Sequence, residues 1–132
     1  MFWKKRTIQH PQLGNLSFSQ DRWLSESLAT STGEVLISID GDASAPSPTG
    51  LAAAQETLAN SEGVVSSAKT FVLSHASAQK FISGQGALVL DGFTFRSTHG
   101  SFEVDLTLSD WPDAMISVVF QDGFPREVLL AD

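Results

Sequence analysis

The feature that most constrains the fold is the alternation of apolar and polar residues in the last third of the chain, from Phe93 to Leu130. Between Phe102 and Ser109, Phe, Val and Leu residues alternate with Glu, Asp, Thr and Ser. This is the period of a β-strand with one buried and one solvated face. Phe93 and Phe95 alternate with polar residues in the same way. The pattern predicts consecutive antiparallel strands.

A turn at His99–Gly100 would join the first two of these runs. A two-residue turn needs positive φ angles, which glycine adopts freely and histidine tolerates better than most residues. Such a turn would place both apolar sets on one face and opposite charges on the other. The pairs predicted in this way are Phe95–Val104, Phe93–Leu106, Arg96–Glu103 and Thr94–Asp105.

The end of the chain predicts one more hairpin. Met115–Gln121 reads as a strand, and Asp122–Gly123 is a typical two-residue turn. That turn would set Glu127 against the apolar Val118, however. We therefore predict a loop of three or five residues through Pro125, which restores the alternation of the last strand.

The first two-thirds of the chain supply further strands and two helices. Strands are predicted within residues 7–40, with Glu34–Asp40 central, and Leu88–Leu90 is either a minor strand or an approach to Phe93. The low-complexity stretch Gly41–Gly50 suits a loop that leads into a short helix, Leu51–Leu58, with Pro48 in its first turn and Ser47 as its cap. A second helix is predicted from Glu62 to about residue 83.

Together these elements predict an α+β fold in one domain, residues 1–132. The strands of residues 7–40 and the C-terminal meander of residues 87–130 would form an antiparallel sheet of about six or seven strands. The helices of residues 48–83 would pack on one face as an αα-hairpin.

Composition and charge exclude several classes of function. The chain has no cysteine, which fits a cytoplasmic protein, and its longest apolar run is too short for a membrane span. Lys4, Lys5, Arg6 and Arg22 lie in the first 22 residues, whereas four basic residues face fourteen acidic ones from Trp23 onward. This balance disfavours nucleic acid and favours a basic protein partner.

Signals for catalysis or cofactor binding are few. The three histidines lack the spacing of a metal site, and no cofactor motif is present, so neither metal nor cofactor is expected. Glu103 and Asp105 point to the same side of one strand and could divide acid and base roles, although a solvated face is the simpler interpretation. With His75, they are the candidates if the protein is a hydrolase or small-molecule binder using a cleft between helices and sheet.

The layout resembles small single-domain bacterial proteins of families of unknown function. The residues that carry this resemblance are Leu16–Phe18, Trp23 and Glu34–Ile39, followed by two helices and a meander. The resemblance covers most of the chain in layout and identifies no catalytic residue. It implies an α+β domain without assigned activity, of a kind sometimes suspected to be an immunity-type protein that neutralises a toxin.

The leading hypothesis is a non-enzymatic protein-binding function. Trp111 lies in a loop, where it either folds back to close the sheet edge or stands out as an anchor for a partner, and the acidic residues near it in the sequence could attract a basic protein. A third hypothesis is a structural or assembly role, with a homodimer formed through a sheet edge. The predicted partner-binding residues are Glu103, Asp105, Asp110, Trp111, Asp113 and Asp122.

Overall fold

The alternating runs form the long strands of one open sheet in the computed structural model, which describes residues 6–132. The basic residues Lys4 and Lys5 lie outside the described residues. The strands are β1 Thr7–His10, β2 Gly14–Ser19, β3 Arg22–Ser25, β4 Leu28–Thr30, β5 Gly33–Asp40, β6 Leu88–Phe95, β7 Ser101–Leu108, β8 Trp111–Gln121 and β9 Phe124–Ala131. The helices are α1 Pro48–Ala59, α2 Ser61–Ser74 and α3 Ala76–Ile82.

The sheet is mostly antiparallel, as predicted, and has the order β1-β2-β3-β5-β6-β7-β8-β9, with β4 also pairing with β5. Its one parallel pair is β5 with β6, and all three helices lie in the connection between these strands. A parallel pair needs such a long crossover. The prediction of about six or seven strands was too low for this nine-stranded sheet, because short β3 and β4 carry little alternation.

The register of β6 and β7 differs from the prediction by two residues. Phe95 pairs with Phe102 and Phe93 with Val104, so the predicted faces are right but the predicted partners are wrong. The connection spans residues 96–100 and is longer than a two-residue turn; of its residues Gly100 has a positive φ, 76°. A two-residue shift preserves the face of every side chain, which is why alternation alone could not detect it.

The turn between β8 and β9 is the two-residue Asp122–Gly123 turn, so the predicted longer loop was wrong. Both residues have positive φ, 53° and 87°, as a type I′ turn requires. A β-bulge between Val119 and Phe120 restores the alternation, and Val128 pairs with Val118 after it. The additional residue that we expected in the loop therefore lies in the bulge of β9 and not in the turn.

A second bulge makes β6 a single strand. Leu88–Leu90 is not a separate minor strand. It continues through Asp91 into the run that contains Phe93 and forms the first part of β6. Asp91–Gly92, which also resembles a hairpin turn, lies at the register shift between Leu90 and Gly92. An Asp-Gly pair therefore forms a turn at one place in this chain and a bulge at another.

The helical segment contains three helices where two were predicted. Ser47 caps α1 through its hydroxyl, which accepts a hydrogen bond from Gly50 N, and Pro48 occupies the first turn as predicted. The predicted second helix is interrupted at His75, whose ring Nδ1 accepts from Ala78 N and caps α3. The αα-hairpin is not confirmed. In the described chain no helix has the length and apolar character required to cross a membrane.

The three helices cover one face of the sheet, which we call the covered face. We call the opposite face the helix-free face. Buried residues of the helices, such as Ala54, Ala68 and Val72, join the inward residues of the strands in one hydrophobic core. The core is rich in aromatic pairs, among them Phe102 and Phe120, whose ring centroids are 4.9 Å apart. The face opposite these helices is the one on which Glu103 and Asp105 lie.

Candidate functional site

The helix-free face is organised in cross-strand rows, because directly opposite residues on neighbouring strands share a face. One row runs from β5 to β9 and consists of Leu36, Gly92, Asp105, Ser117 and Leu129. The adjacent row begins on β3 and consists of Leu24, Ser38, Thr94, Glu103, Val119 and Glu127. Polar residues therefore occupy the centre of this face, with leucines at both ends of the first row.

Most of the exposed large apolar side chains of the described chain lie on this face. They are Leu24, Leu36, Val89, Met115 and Leu129, with Phe124 at the rim beside the β8–β9 turn. The remaining one, Leu73, is on α2. Concentrated exposure of this kind is typical of interaction surfaces, whereas scattered exposed leucines need no explanation.

A pocket of about 220 Å³ opens on the helix-free face around Gly92. Leu24 and Leu36 form apolar walls, and the carboxylates of Asp91 and Asp105 lie at its border. Gly92 contributes no side chain, and a Cβ atom there would lie 2.1 Å from the backbone oxygen of Leu36. The glycine is therefore required for the close approach of β5 and β6, whose backbone occupies the position of the missing side chain.

Asp105 is held by its neighbours on both sides. Thr94 Oγ1 donates to Oδ2 of Asp105 at 2.8 Å, and Ser117 Oγ donates to Oδ1 at 3.0 Å. Burial raises the pKa of the Asp105 carboxyl above its ordinary value, and the two hydroxyl groups counteract part of that rise. Each carboxylate oxygen still has a free lone pair for a further donor.

Glu103 forms the predicted ion pair with Arg96, although the two residues are not directly opposite. Arg96 Nε donates to Oε2 of Glu103 at 2.6 Å, and its Nη1 lies 3.8 Å from Oδ1 of Asp40. The predicted Thr94–Asp105 contact also forms, again diagonally. Glu103 and Thr94 are buried, so the predicted solvated face is wrong at the centre of the sheet, where neighbouring side chains cover them.

The six predicted partner-binding residues lie in three places. Glu103 and Asp105 are at the centre of the helix-free face. Asp110 is in the β7–β8 turn, whereas Asp113 and Trp111, which was predicted in a loop, are among the first residues of β8; Asp122 is in the β8–β9 turn. These two turns lie at opposite ends of the eleven-residue strand β8, which spans roughly 35 Å. The structure therefore brings together the first two residues and separates Asp122 from Trp111.

Trp111 packs against the helical layer. Its ring lies 4.8 Å from that of Phe81 in α3, centroid to centroid, and its side chain is partly buried against the core. In this position it closes the end of the sheet beneath α3.

A larger cleft of about 770 Å³ lies on the covered face, between α1, α2 and the strand ends. Its floor includes the stacked Phe102 and Phe120, and its rim includes Glu56, His99 and Asp122. None of the residues proposed from the sequence for a helix–sheet cleft lines it. Glu103 and Asp105 are on the opposite face, and His75 is at the junction of α2 and α3.

Sequence reasoning named Asp105 of the pocket and Asp122 of the cleft but missed most of the other residues that define the two sites. Gly92 and Leu36 are neighbours only because β5 and β6 pair in parallel across a long connection. Glu56 and His99 line the same cleft only because α1 lies beside the strand ends. The Asp91–Gly92 dipeptide was the one available signal for the pocket, and it resembles a turn.

Among residues 6–132, no three His, Asp or Glu side chains are grouped so that they could hold a metal ion. A comparison of the chain with protein-family models, curated proteins and solved structures finds no match.

Proposed function

We propose that this chain is a non-enzymatic protein-binding domain whose partner docks on the helix-free face of the sheet. The observation that carries the proposal is the concentration of exposed apolar side chains there, five on the face and Phe124 at its rim. Exposing apolar area to water is unfavourable by about 25 cal/mol per Å², so covering it favours association. Interfaces combine such apolar residues with polar groups that fix the orientation of the partner.

The charge of the same face supports a basic partner. Its acidic residues outnumber Arg22 and Arg96, and Arg96 is already paired with Glu103 and Asp40. The acidic residues on or beside the face are Glu34, Asp40, Asp91, Glu103, Asp105 and Glu127. An acidic surface accelerates encounter with a basic protein. Neutralisation of a basic toxin, as in immunity-type proteins, is one specific form of this proposal.

The test is a pull-down from the native host at low salt and at about 0.5 M salt, with two matched variants. Leu36 on β5 and Leu73 on α2 are equally exposed, 54% each, on different faces of the molecule. We expect Leu36→Glu to abolish retention of a basic protein and Leu73→Glu to leave it unchanged. High salt should weaken retention, because salt screens the attraction between charges.

A protein retained equally by wild type and by Leu36→Glu would contradict docking on the helix-free face. Retention of no protein at either salt concentration would contradict the proposal as a whole. Trp111→Ala, Asp110→Lys and Asp113→Lys test the β7–β8 turn separately. Loss of the partner on these changes, with no effect of Leu36→Glu, would move the interface to that turn.

A second candidate function is small-molecule binding in the cleft on the covered face. It is favoured by the volume of the cleft, which lies in the range of ligand pockets, and by its aromatic floor with carboxylates at the rim. A fragment screen monitored by NMR tests it. Binding should shift the signals of Phe102 and Phe120, and Ala53→Phe, which fills the cleft, should abolish the shifts.

A third candidate is assembly of two copies through a sheet edge. The described sheet ends in β1 and β9, and β9 offers an eight-residue edge that is interrupted by Pro125. Analytical ultracentrifugation between about 5 and 500 μM distinguishes this candidate. A dimer abolished by Leu129→Pro would support edge pairing, and a monomer at every concentration would exclude it in this range.

A further inference from the structure

We propose that the pocket around Gly92 is an anchor site for a basic side chain, with arginine the better fit, of the partner protein. This inference rests on the proposed function, since it names the group on the partner that the helix-free face would recognise. It is independent of the identity of the partner, because it follows from the walls of the pocket.

The shape of the pocket suits one long side chain. Its volume of about 220 Å³ is open to solvent on the helix-free face, and its lining includes Leu24, Leu36 and Asp105 on three different strands. Leu24 and Leu36 would contact the aliphatic part of an inserted side chain. Arginine and lysine combine such an apolar stem with a charged end.

The charge at the border of the pocket is complementary to a cation. Asp91 and Asp105 both line the pocket, and no basic residue of the described chain does so. Arg96, the nearest basic residue along β6, is engaged with Glu103 and Asp40. Arg22 Nη1 donates to Ser38 Oγ at the side of the pocket, and no basic residue of the described chain forms an ion pair with Asp91 or Asp105.

The hydrogen bonds of Asp105 specify the geometry of the contact. Each of its oxygens accepts one hydroxyl hydrogen bond, from Thr94 and Ser117, so that each retains one acceptor position. Two parallel acceptors match the paired N–H groups of a guanidinium, which binds carboxylates in a bidentate manner. The raised pKa of Asp105 is consistent with a carboxylate that lacks a cationic partner.

The experiment titrates ¹⁵N-labelled full-length protein with N-acetyl-arginine amide and follows the backbone amide signals. N-acetyl-citrulline amide serves as the neutral isostere of the same shape. We expect saturable shifts of Gly92, Thr94 and Asp105 with a millimolar Kd for the arginine probe. The citrulline probe should bind at least about fivefold more weakly, because it lacks the charge.

Two variants make the assignment specific. Asp105→Asn should weaken binding of the arginine probe at least about fivefold, whereas Asp113→Asn, the same change at an exposed site on β8, should not. The dispersion of the amide signals confirms that each variant is folded. Equal binding of both probes, no effect of Asp105→Asn, or no shifts up to about 50 mM would overturn the inference.

The result of this titration can be distinguished from the result of the pull-down that tests the proposed function. If Leu36→Glu abolishes partner retention but the arginine probe causes no shifts, the anchor site is wrong and the docking face stands. If the probe binds in the pocket but no partner is retained, the cation site stands and the docking function is wrong.

Discussion

Gly92 and Asp105 lie directly opposite each other on β6 and β7, and both line the pocket on the helix-free face. A Cβ atom at position 92 would meet the backbone of Leu36 at 2.1 Å. A backbone atom of a paired strand cannot move aside as a flexible side chain can. The glycine therefore serves the parallel pair of β5 and β6.

The first prediction follows from this close approach. Gly92→Ala should lower the free energy of unfolding by about 2 kcal/mol, because β5 and β6 must separate locally. Urea denaturation measures the change. Gly63→Ala in α2 is the matched control, since the three atoms nearest its Cβ would all belong to the flexible side chain of Asn60 and alanine favours a helix. An equal loss in both variants would contradict the steric explanation.

The second prediction concerns the pH dependence of stability at Asp105. Its pKa is raised above the ordinary 3.8 chiefly by burial, so the charged form destabilises the fold and the penalty is relieved as pH falls through the raised value. Asp105→Asn lacks this titration. The stability of the variant relative to wild type should therefore be highest near pH 7 and should decline towards about pH 4.

Urea denaturation of both proteins at the two pH values tests this second prediction. Taking the difference between them cancels the titration of the other carboxyl groups, which both proteins share. A difference that is constant with pH, or that grows at low pH, would contradict a raised pKa.

The third prediction concerns the ion pair of Arg96 and Glu103. Arg96→Met should cost about 2 kcal/mol of stability, because it leaves the Glu103 side chain, which is 11% exposed, charged and without its partner. Adding Glu103→Gln to this variant should recover about half of the loss. The control is Arg126→Met at the rim, where we expect a change within about 0.5 kcal/mol. No recovery in the double variant would show that the loss arises from packing.

The fourth prediction assigns Trp111 a role in stability. Trp111→Ala should cost about 2 kcal/mol, less than for a fully buried tryptophan, because the ring packs on Phe81 but is only partly buried. A double-mutant cycle with Phe81→Ala should give a coupling energy of about 1 kcal/mol. Additive effects of the two changes would show that the contact between the rings contributes nothing specific.

Alternation along the chain was sufficient to predict the α+β class, the central β5 strand and which side chains face the core. It was not sufficient for the partners of those side chains. A two-residue shift between β6 and β7 leaves Phe93 and Phe95 facing inward, so the register depended on a loop length that His99–Gly100 did not determine. The same Asp-Gly signal marks a bulge at Asp91 and a turn at Asp122.

The candidate site was predictable only in its polar centre. Glu103 with Arg96 and Asp105 with Thr94 were expected as pairs because they lie close together along the sequence. Leu36 joins them from more than fifty residues earlier through the parallel pairing of β5 and β6. No local pattern reports such a contact, because its cause is the packing of three intervening helices.

The parallel pairing of β5 with β6 also joins two groups of strands that can form independently during folding. Strands β1 to β3 and strands β6 to β9 are built from neighbouring hairpins, whose loops are short and inexpensive to close. The contact of Ile37 with Phe93 closes a loop that contains every helix, so it should form after both hairpin groups. Ile37→Val should then accelerate unfolding while leaving the refolding rate nearly unchanged, and a chevron plot would show it. The β5–β6 pair at the centre of the sheet would thus be the last part of the molecule to form.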